Sequence, residues 1–408
     1  MNVIDLLPVP HERPIAGLLD QLGTAPAQLP FDAAASRLLA DLSRRILAAP
    51  DLARQADAVA LGYWLRPANL GRLADRYPPL ADGSLRVPAG LAFHIPPANV
   101  DMMFVYGWAA GVLAGNRQLI RLSRRRGELA DRMLALVGEA LAGFPDIARG
   151  TAFVEYERDE AITAAISARC DLRVIWGGDA TVAAIRAIPL AAHAKETVFA
   201  DRLSLALLSA PAVLALDAPA LAAVAGRLFN DVLTFDQMAC SSPRRLVWIG
   251  TADAADAADA RLTQAMTAEI ARRGYAVSTA TALEKYAAAC RAAVRGPVRS
   301  IAMGRTDWVV VDLGDGPAVP PENPHPGAGL LYRCRVTAAA EIAPMIDRRV
   351  QTLSHFGVDR PALEALARLL AGKGIDRMVP LGEALAFDLA WDGYDLIDEF
   401  TRRVVIRS

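Results

Sequence analysis

The sequence predicts an α/β protein built from two doubly wound domains. Short apolar runs alternate with helical segments from about residue 85 to residue 200, and a second such series begins after Leu203. Alternation of this kind is typical of a parallel sheet that is covered by helices on both faces. The length of 408 residues agrees with this prediction, because chains of this size usually form two or three domains.

The first 84 residues predict a helical region that precedes the first sheet. Residues 1–30 are rich in proline and are expected to be irregular. A helix is predicted from about residue 33, behind Asp32 as its N-cap, because the following leucines have helical spacing. Residues 52–73 predict a second helix, which forms a helical layer with the first.

Both sheets can be outlined from the apolar pattern. The first is expected to have strands at 90–95, 118–122, 151–155, 172–176 and 196–200, with helices at 100–113, 127–141, 159–168 and 181–189. The second is expected to have strands at 205–208, 246–249, 308–311, 330–336 and 350–353, with helices at 219–229, 255–273 and 361–370. The β-branched tail at 402–407 predicts a strand that pairs with another element or another subunit.

Composition and charge argue against several functional classes. The formal net charge is −1, so a basic surface for nucleic acid is not indicated. The cysteines Cys170, Cys240, Cys290 and Cys334 have no paired or zinc-type spacing, which suits a reducing cytoplasm and predicts no metal site. The N-terminus does not resemble a signal peptide, and the most apolar stretch, 102–114, is too short to span a membrane.

The segment FDQMACSSP, residues 235–243, contains the strongest candidate for chemistry. Cys240 lies between a polar approach segment and a Ser-Ser-Pro turn, just before an apolar run. A thiol on a tight turn, close to backbone amides, is favoured as the thiolate and therefore as a nucleophile. A small buried cysteine that only packs is the alternative.

Three loops are candidates for nucleotide binding, although no G-x-G-x-x-G follows any predicted strand. They are residues 96–99, 123–126 and 177–179. The Gly-Gly-Asp loop at 177–179 follows a strand and opens a helix, so its amides are placed to face a pyrophosphate. A plain tight turn has the same composition, and the three consecutive arginines at 124–126 also fit a solvated turn.

Six short segments occur in a definite order: FHIPPAN at 93–99, AGN at 114–116, VIWGGD at 174–179, DRLS at 201–204, FDQMACSSP at 235–243 and WDGY at 391–394. In this order they resemble the aldehyde dehydrogenase superfamily and, within it, the LuxC-type acyl-CoA reductases. The resemblance implies an aldehyde-dehydrogenase-like fold of four parts. These are a helical region at 1–84 packed on the cofactor domain, an NAD(P)-binding domain at 85–202, a catalytic domain at 203–372, and a return to the cofactor domain with an oligomerisation tail at 373–408.

The resemblance also implies catalytic roles for three residues. Cys240 falls at the nucleophile, which attacks the thioester of an acyl-CoA to form an S-acyl enzyme. Asn99 falls at the asparagine that stabilises the oxyanion together with the backbone N–H of the nucleophile, with an Asx turn as the alternative. His355 resembles the histidine of a Gly-His-Thr segment in CoA-acylating aldehyde dehydrogenases, which implies a general acid/base, with a surface or capping histidine as the alternative.

For the cofactor, the resemblance implies contacts from three loops. Ser123 and the arginines after it follow the second strand, where the superfamily holds the adenosine ribose, and a guanidinium there favours NADPH over NADH. The segment from Trp176 matches the one that approaches the cofactor pyrophosphate. The expected cofactor-binding residues are Ile95, Pro96, Ser123, Arg124, Trp176, Gly177, Gly178 and Asp179.

One departure from the superfamily bears on the reaction. Hydrolytic aldehyde dehydrogenases have a glutamate base in an E-L-G-G-K-S run, and aligning Ser204 on its serine puts Phe199 at the glutamate position. Glu196 is nearby but out of phase. Without that base, reduction of acyl-CoA to the aldehyde is expected, rather than oxidation of an aldehyde to the acid. His94 is expected to be structural.

Three other functions stay open from the sequence. They are a hydrolytic aldehyde dehydrogenase with Glu196 as a displaced base, an acyl-transfer protein that lacks the dinucleotide, and an inactive scaffold. The resemblance further implies a homodimer or homotetramer. Family members often receive acyl groups from a partner, so an acyl-protein synthetase or transferase is a further expected partner.

Overall fold

The computed structural model describes residues 1–97, 100–319 and 325–407, and it confirms the predicted α/β class. The described residues form two large sheets of seven strands, one in each of two compact units. The first unit comprises Met1–Asp201 with Phe387–Ser408, and the second comprises Arg202–Ala386.

The sheet of the first unit has five parallel strands, with two antiparallel strands added at one edge. The strand order is β2-β1-β6-β5-β4-β7-β8, and β3 lies outside this sheet. The strands are β1 (Asn2–Asp5), β2 (His11–Pro14), β3 (Leu85–Pro88), β4 (Leu91–Ile95), β5 (Arg117–Leu122), β6 (Thr151–Glu155), β7 (Leu172–Trp176) and β8 (Lys195–Phe199).

The N-terminal residues form regular structure, so the prediction of an irregular segment at 1–30 is wrong. β1 pairs antiparallel with β6, and helix α1 (Ile15–Thr24) packs four apolar side chains into the core. The prolines of this segment hid the pattern, because proline is depleted in sheets and both strands are only four residues long.

Helices cover both faces of this sheet. Residues of α2 to α6 share a core with one face, and residues of α1 and α8 pack on the other. Asp32 caps α2 as predicted, and its carboxylate accepts from the N–H of Ala34 at 2.6 Å. The single helix predicted at 52–73 is instead α3 and α4, because Pro67 cannot continue α3 and starts α4. The helices are α2 (Ala33–Ala48), α3 (Ala56–Trp64), α4 (Pro67–Asp75), α5 (Met103–Leu113), α6 (Glu128–Leu141), α7 (Pro145–Arg149), α8 (Glu160–Ser167) and α9 (Asp179–Arg186).

The sheet of the second unit has the order β11-β12-β13-β10-β9-β14-β15. All neighbouring strands pair in parallel except β11, which is antiparallel to β12. The boundary predicted at 372 differs from that of the unit, because β15 pairs with β14 and the chain returns to the first unit only at Phe387. The strands are β9 (Leu203–Ser209), β10 (Pro243–Ile249), β11 (Ser300–Ala302), β12 (Val309–Asp315), β13 (Leu330–Val336), β14 (Val350–Phe356) and β15 (Arg377–Pro380).

Five helices and two short 3-10 helices complete the second unit. Helix α13 and strand β11 were not predicted. The buried side of α13 consists of Lys285 and three alanines, which give a weak apolar signal. The helices are α10 (Ala210–Leu214), α11 (Ala218–Leu233), α12 (Ala252–Arg273), α13 (Thr279–Arg295) and α14 (Arg360–Leu370), with 3-10 turns at Thr234–Gln237 and Ala339–Met345.

The C-terminal segment adds β16 (Ala390–Trp391), β17 (Tyr394–Asp395), α15 (Leu396–Glu399) and β18 (Thr401–Val404) to the first unit. The predicted terminal strand therefore exists, and it pairs antiparallel with β3 of the same chain. The side chains of Leu85, Val404, Val405 and Ile406 are exposed beside this pair. Among the described residues, no helix combines the length and the apolar character that crossing a membrane requires.

Candidate active site

Cys240 lies in a turn immediately before β10, next to the centre of the second sheet. The N–H of Ser242 donates to the carbonyl of Ala239 at 3.0 Å and closes this turn. The hydroxyl of Ser204 donates to the carbonyl of Cys240 at 2.8 Å, and the Oγ of Ser204 accepts from the N–H of Thr352 at 3.2 Å. The Cys240 turn is therefore tied to both β9 and β14, and Cys240 itself is half-buried.

The chain enters this turn through three residues with left-handed backbone. Phe235, Asp236 and Gln237 have φ angles of 58°, 51° and 61°. For residues other than glycine, this conformation costs roughly 1–2 kcal/mol each and normally occurs at single positions. Residues 235–237, hereafter the left-handed run, must therefore be stabilised by contacts with the surrounding structure.

The side chain of Gln237 provides several of these contacts. It is fully buried. Its amide nitrogen donates to the carbonyl of Pro243 at 2.7 Å and to that of Leu330 at 3.0 Å. Its amide oxygen accepts from the N–H of Gly329 at 2.9 Å. One side chain thus joins the residues before Cys240 to the strand after it.

A loop formed by residues 327–330 packs against the left-handed run. The N–H of Ala328 donates to the carbonyl of Asp236 at 2.6 Å. A Cβ atom at Gly327 would lie 2.3 Å from that carbonyl oxygen, so the close approach requires glycine. The ammonium of Lys285, which is completely buried, donates to the carbonyl of Ala328.

His355 is not brought to the Cys240 turn. In the pair of β9 and β14, His355 lies opposite Leu207. Leu207 is three residues beyond Ser204, a distance of about 10 Å along β9. Leu207 belongs to the core against α13 and α14, whereas Ser204 points to the opposite face because side chains alternate along a strand. Burial lowers the pKa of His355, against the opposing influence of Glu383. The geometry therefore gives no support to His355 as the acid/base at Cys240. Sequence spacing alone does not reveal on which face of the sheet a side chain lies, or how far along the strand.

In the first unit, residues 176–179 join β7 to α9. The rings of Trp176 and Phe199 stack with centroids 3.6 Å apart, and the N–H of Gly177 donates to the carbonyl of Phe199 at 3.1 Å. Gly178 is the N-cap of α9, where no side chain caps the helix and the space for a Cβ is open. The first-turn N–H groups therefore fit a pyrophosphate, whereas the exposed carboxylate of Asp179 would repel one.

The three arginines after β5 differ in their contacts. Arg124 pairs with Glu155 at 2.9 Å, and Arg126 pairs with the same carboxylate. The hydroxyl of Ser123 accepts from the N–H of Arg125 at 3.1 Å. Within the part of the chain that the structure describes, the guanidinium of Arg125 has no ion pair. Of the three arginines, Arg125 is therefore the one whose guanidinium is not bound by a carboxylate of the described residues.

The segment after β4 is described only in part. Ile95 is the buried last residue of β4, and Pro96 follows it half-buried. Asn99, the predicted oxyanion donor, lies outside the described residues. The ring of His94 lies edge-on to that of Phe400 at 5.7 Å, and burial lowers the pKa of His94 to about 3, which fits the predicted structural role.

Glu196 is held by two arginines. One carboxylate oxygen accepts from Arg173 at 2.8 Å, and the other accepts from Arg186 at 2.8 Å. Arg173 is buried, so this pairing is part of the packing between β7 and β8. A carboxylate engaged in this way is poorly available as a base for water.

A family model described as acyl-CoA reductase (LuxC) matches residues 72–403. This match covers most of the 408 residues. The chain belongs to the acyl-CoA reductase (LuxC) family. It is therefore an enzyme, an oxidoreductase of aldehyde chemistry.

Solved structures of aldehyde dehydrogenases share the fold of this LuxC-family chain. Aldehyde dehydrogenase 21 of Physcomitrella patens, in complex with succinate, is 11% identical with a TM-score of 0.68 over 99% of this chain and 94% of its own. A putative aldehyde dehydrogenase of Burkholderia cenocepacia is 17% identical with a TM-score of 0.65 over 96% and 90%. Glyceraldehyde-3-phosphate dehydrogenase GapN of Methanocaldococcus jannaschii, complexed with NADP, is 13% identical with a TM-score of 0.64 over 99% and 98%. No curated protein sequence matches this chain significantly.

The four thiols of this LuxC-family chain differ in their surroundings. Burial raises the pKa of Cys170 to about 12 and that of Cys334 to about 11, so both stay protonated near neutral pH. Cys290 is exposed on α13, away from any turn. Only Cys240 combines partial exposure with a turn held from both sides.

Sequence reasoning missed two residues that support the Cys240 turn. Gln237 lies within the FDQMACSSP segment, but its contacts are made to residues far along the chain. Lys285 lies on a helix that was not predicted. A glutamine so close to the candidate nucleophile was the one available signal.

Proposed function

We propose that this LuxC-family chain reduces a fatty acyl-CoA to the aldehyde with NADPH, through an S-acyl intermediate on Cys240. The observation that carries the proposal is the Cys240 turn, whose backbone is bonded by Ser204 and Gln237 and whose cysteine is half-buried. Membership of the acyl-CoA reductase family supports the substrate class.

In the proposed reaction, the Cys240 thiolate attacks the carbonyl carbon of the thioester. A bond from the Cys240 sulfur to the acyl carbon forms, the bond from that carbon to the CoA sulfur breaks, and CoA leaves as a thiolate that is protonated by solvent. We assign the stabilisation of the oxyanion to the peptide N–H of Cys240 and the side-chain amide of Asn99. Loss of one such donor typically reduces the rate by about 10²- to 10³-fold.

A reduced nicotinamide, when bound, would supply the hydride that turns the S-acyl group into the anion of a thiohemiacetal; the carbon–sulfur bond then breaks, the aldehyde leaves and the Cys240 thiolate is restored. The uncapped start of α9 at Gly178 fits the cofactor pyrophosphate, and Arg125 fits a 2′-phosphate. Trp176 and Gly177 directly precede Gly178 in the chain, and both contact Phe199. The NADP complex of the M. jannaschii dehydrogenase, a structural neighbour, supports a nicotinamide cofactor.

Two features favour reduction over hydrolysis of the S-acyl enzyme. Phe199, which aligns with the glutamate base of hydrolytic aldehyde dehydrogenases, is buried in a stack with Trp176. Glu196, the other candidate base, is bound by Arg173 and Arg186. Without a base to activate water, the intermediate persists until hydride arrives. An acyl-protein synthetase or transferase as the acyl donor stays a prediction.

The proposal is tested by incubating the purified protein with acyl-CoAs of several chain lengths and NADPH. The expected products are the aldehyde and CoA in equal amounts, together with one NADP⁺ per aldehyde. Conversion of a free aldehyde to the acid without CoA would instead identify a hydrolytic dehydrogenase. Formation of an acyl-enzyme with no binding of NADPH or NADH would identify an acyl-transfer protein.

Replacing Arg125 with alanine is expected to raise the KM for NADPH by about tenfold or more, because one charge-assisted contact to the 2′-phosphate is lost. The KM for NADH is expected to stay unchanged. Arg124→Ala is the matched control, since the guanidinium of Arg124 is already bound by Glu155. Equal effects of Arg125→Ala on both cofactors would contradict this assignment.

We also propose a homodimer or homotetramer that associates through the pair of strands β3 and β18. Val405 and Ile406 continue β18 as an exposed apolar end. Changing both to aspartate is expected to produce a smaller particle in size-exclusion chromatography with light scattering. Val294→Asp is the control, because Val294 is exposed on α13 of the other unit. An unchanged mass in the double variant would argue against this interface.

A further inference from the structure

The loop 327–330 is bound by three polar side chains of the second unit, of which Gln237 and Lys285 are fully buried and His325 is half-buried. Gln237 accepts from the N–H of Gly329 and donates to the carbonyl of Leu330. His325 bonds the N–H of Gly327 at 3.1 Å and the carbonyl of Leu330 at 3.0 Å. Lys285 donates to the carbonyl of Ala328. Every one of these four residues is thus hydrogen-bonded to one of the three side chains.

His325 has a definite protonation state in this arrangement. Its Nδ1 accepts from the N–H of Gly327, so its Nε2 carries the proton and donates to the carbonyl of Leu330. Burial lowers the pKa of His325 to about 3, and the nearby positive charges of Arg244 and Lys285 act in the same direction. The ring therefore stays neutral throughout the physiological range.

This loop in turn determines the path of the chain before Cys240. The N–H of Ala328 bonds the carbonyl of Asp236, the middle residue of the left-handed run. Gly327 has a φ of 72°, and the position of its Cβ is occupied by the carbonyl of Asp236. Glycine is therefore needed at position 327 both for its left-handed backbone and for the close approach of the Asp236 carbonyl.

Gln237 also bonds the far side of the turn. Its amide nitrogen bridges the carbonyls of Leu330 and Pro243, and Pro243 is the first residue of β10. The segment from 237 to 243 is therefore closed into a ring by one side chain, with Cys240 in the middle of the enclosed residues. A change at Gln237 would release both ends of the turn at once.

We propose that Gln237 is the positioning residue of the nucleophile, and that Lys285 and His325 act through it by fixing the loop 327–330. The inference rests on the proposed role of Cys240. It adds the set of hydrogen bonds that orients the Cys240 sulfur. Gln237 does not contact the reacting atoms in this proposal, so its effect is on orientation. Displacement of a reacting group by about 1 Å can reduce a rate by about a hundredfold.

The experiment uses the full chain with Cys290→Ala, so that alkylation by iodoacetamide reports on Cys240. In this background, Gln237→Leu removes all three hydrogen bonds of the side chain, and Gln237→Glu keeps its length but loses both N–H donors. Trp248→Phe is the control, because it removes a partly buried hydrogen bond to Asp259 at 3.0 Å in the same unit, outside the turn. For each protein we would measure the alkylation rate constant, kcat, KM for the acyl-CoA and the melting temperature.

Both Gln237 variants are expected to lower the alkylation rate constant and kcat by about ten- to a hundredfold, with KM nearly unchanged. Trp248→Phe is expected to lower only the melting temperature. Lys285→Met is expected to give a smaller loss in the same direction, and it provides the test if neither Gln237 variant folds. Wild-type rates in folded variants would overturn the positioning role while leaving the proposed function intact. A wild-type Cys240 that forms no acyl adduct would overturn both.

Discussion

Replacing Cys240 with serine is expected to abolish the reductase activity, with a loss of about 10³-fold or more, or ~4 kcal/mol in the barrier. A serine hydroxyl is a far weaker nucleophile than a thiolate. Incubation with acyl-CoA in the absence of NADPH is the direct measurement. Intact mass spectrometry should detect one acyl group on the wild type and none on Cys240→Ser.

Cys290→Ala provides the control for this prediction. Cys290 is exposed and is the thiol most easily mistaken for the nucleophile, while burial makes Cys170 and Cys334 unreactive near neutral pH. The Cys290→Ala protein should form the same adduct at the wild-type rate and keep its activity. An acyl group on Cys290, or full activity in Cys240→Ser, would contradict the assignment of the nucleophile.

The fold could be predicted from the sequence because its signals are local. Strands such as β5, β6 and β13 each contain a short run of two or three adjacent apolar residues, and helices alternate with the strands along the chain. The failures have local causes too. Strands β1 and β2 are only four residues long and are separated by a segment with two prolines, and α13 buries alanines in place of large side chains.

Only the part of the candidate site that lies within one continuous segment of the chain was predicted. Cys240, with its Ser-Ser-Pro turn, could be recognised from nine consecutive residues. The left-handed run could not, because Phe235, Asp236 and Gln237 have no intrinsic preference for that backbone, which the loop 327–330 stabilises from almost a hundred residues away.

The partners of the charged side chains were the part of the candidate site that could least be predicted from the sequence. The sequence placed Arg124 at the cofactor, but Glu155, 31 residues further along, binds its guanidinium. Glu196 was a candidate base, but its carboxylate accepts hydrogen bonds from Arg173 and Arg186. A charge becomes available for a ligand only when its partners within the fold are known, and those partners depend on tertiary structure.

Asp231 is the buried carboxyl for which the structure predicts the largest effect of pH on stability. It lies on α11 and accepts from the N–H groups of Gly382 at 2.8 Å and Ala384 at 3.0 Å. Burial raises the pKa of Asp231 to about 7, and the two backbone bonds oppose this shift without overcoming it. The negative charge of Glu383 raises the pKa further.

The sign of the effect follows from the two pKa values. In the unfolded chain Asp231 titrates near 3.8, so between about pH 4 and pH 7 the unfolded state releases a proton that the folded state keeps. The stabilisation from this proton is complete below pH 4 and is lost as the pH rises towards 7. A difference of about three pKa units corresponds to about 4 kcal/mol in the free energy of unfolding.

Asp231→Asn is expected to remove this dependence. At pH 4.5 the variant should be less stable than the wild type by about 1–3 kcal/mol, because its amide offers one acceptor oxygen to two backbone N–H groups. By pH 8 the wild type should have lost about 4 kcal/mol through this group, so the variant should equal or exceed it. The measurement is urea unfolding of both proteins at several pH values. Since all other titrating groups are shared, their contributions cancel in the difference, and a difference that does not change with pH would show that Asp231 titrates normally.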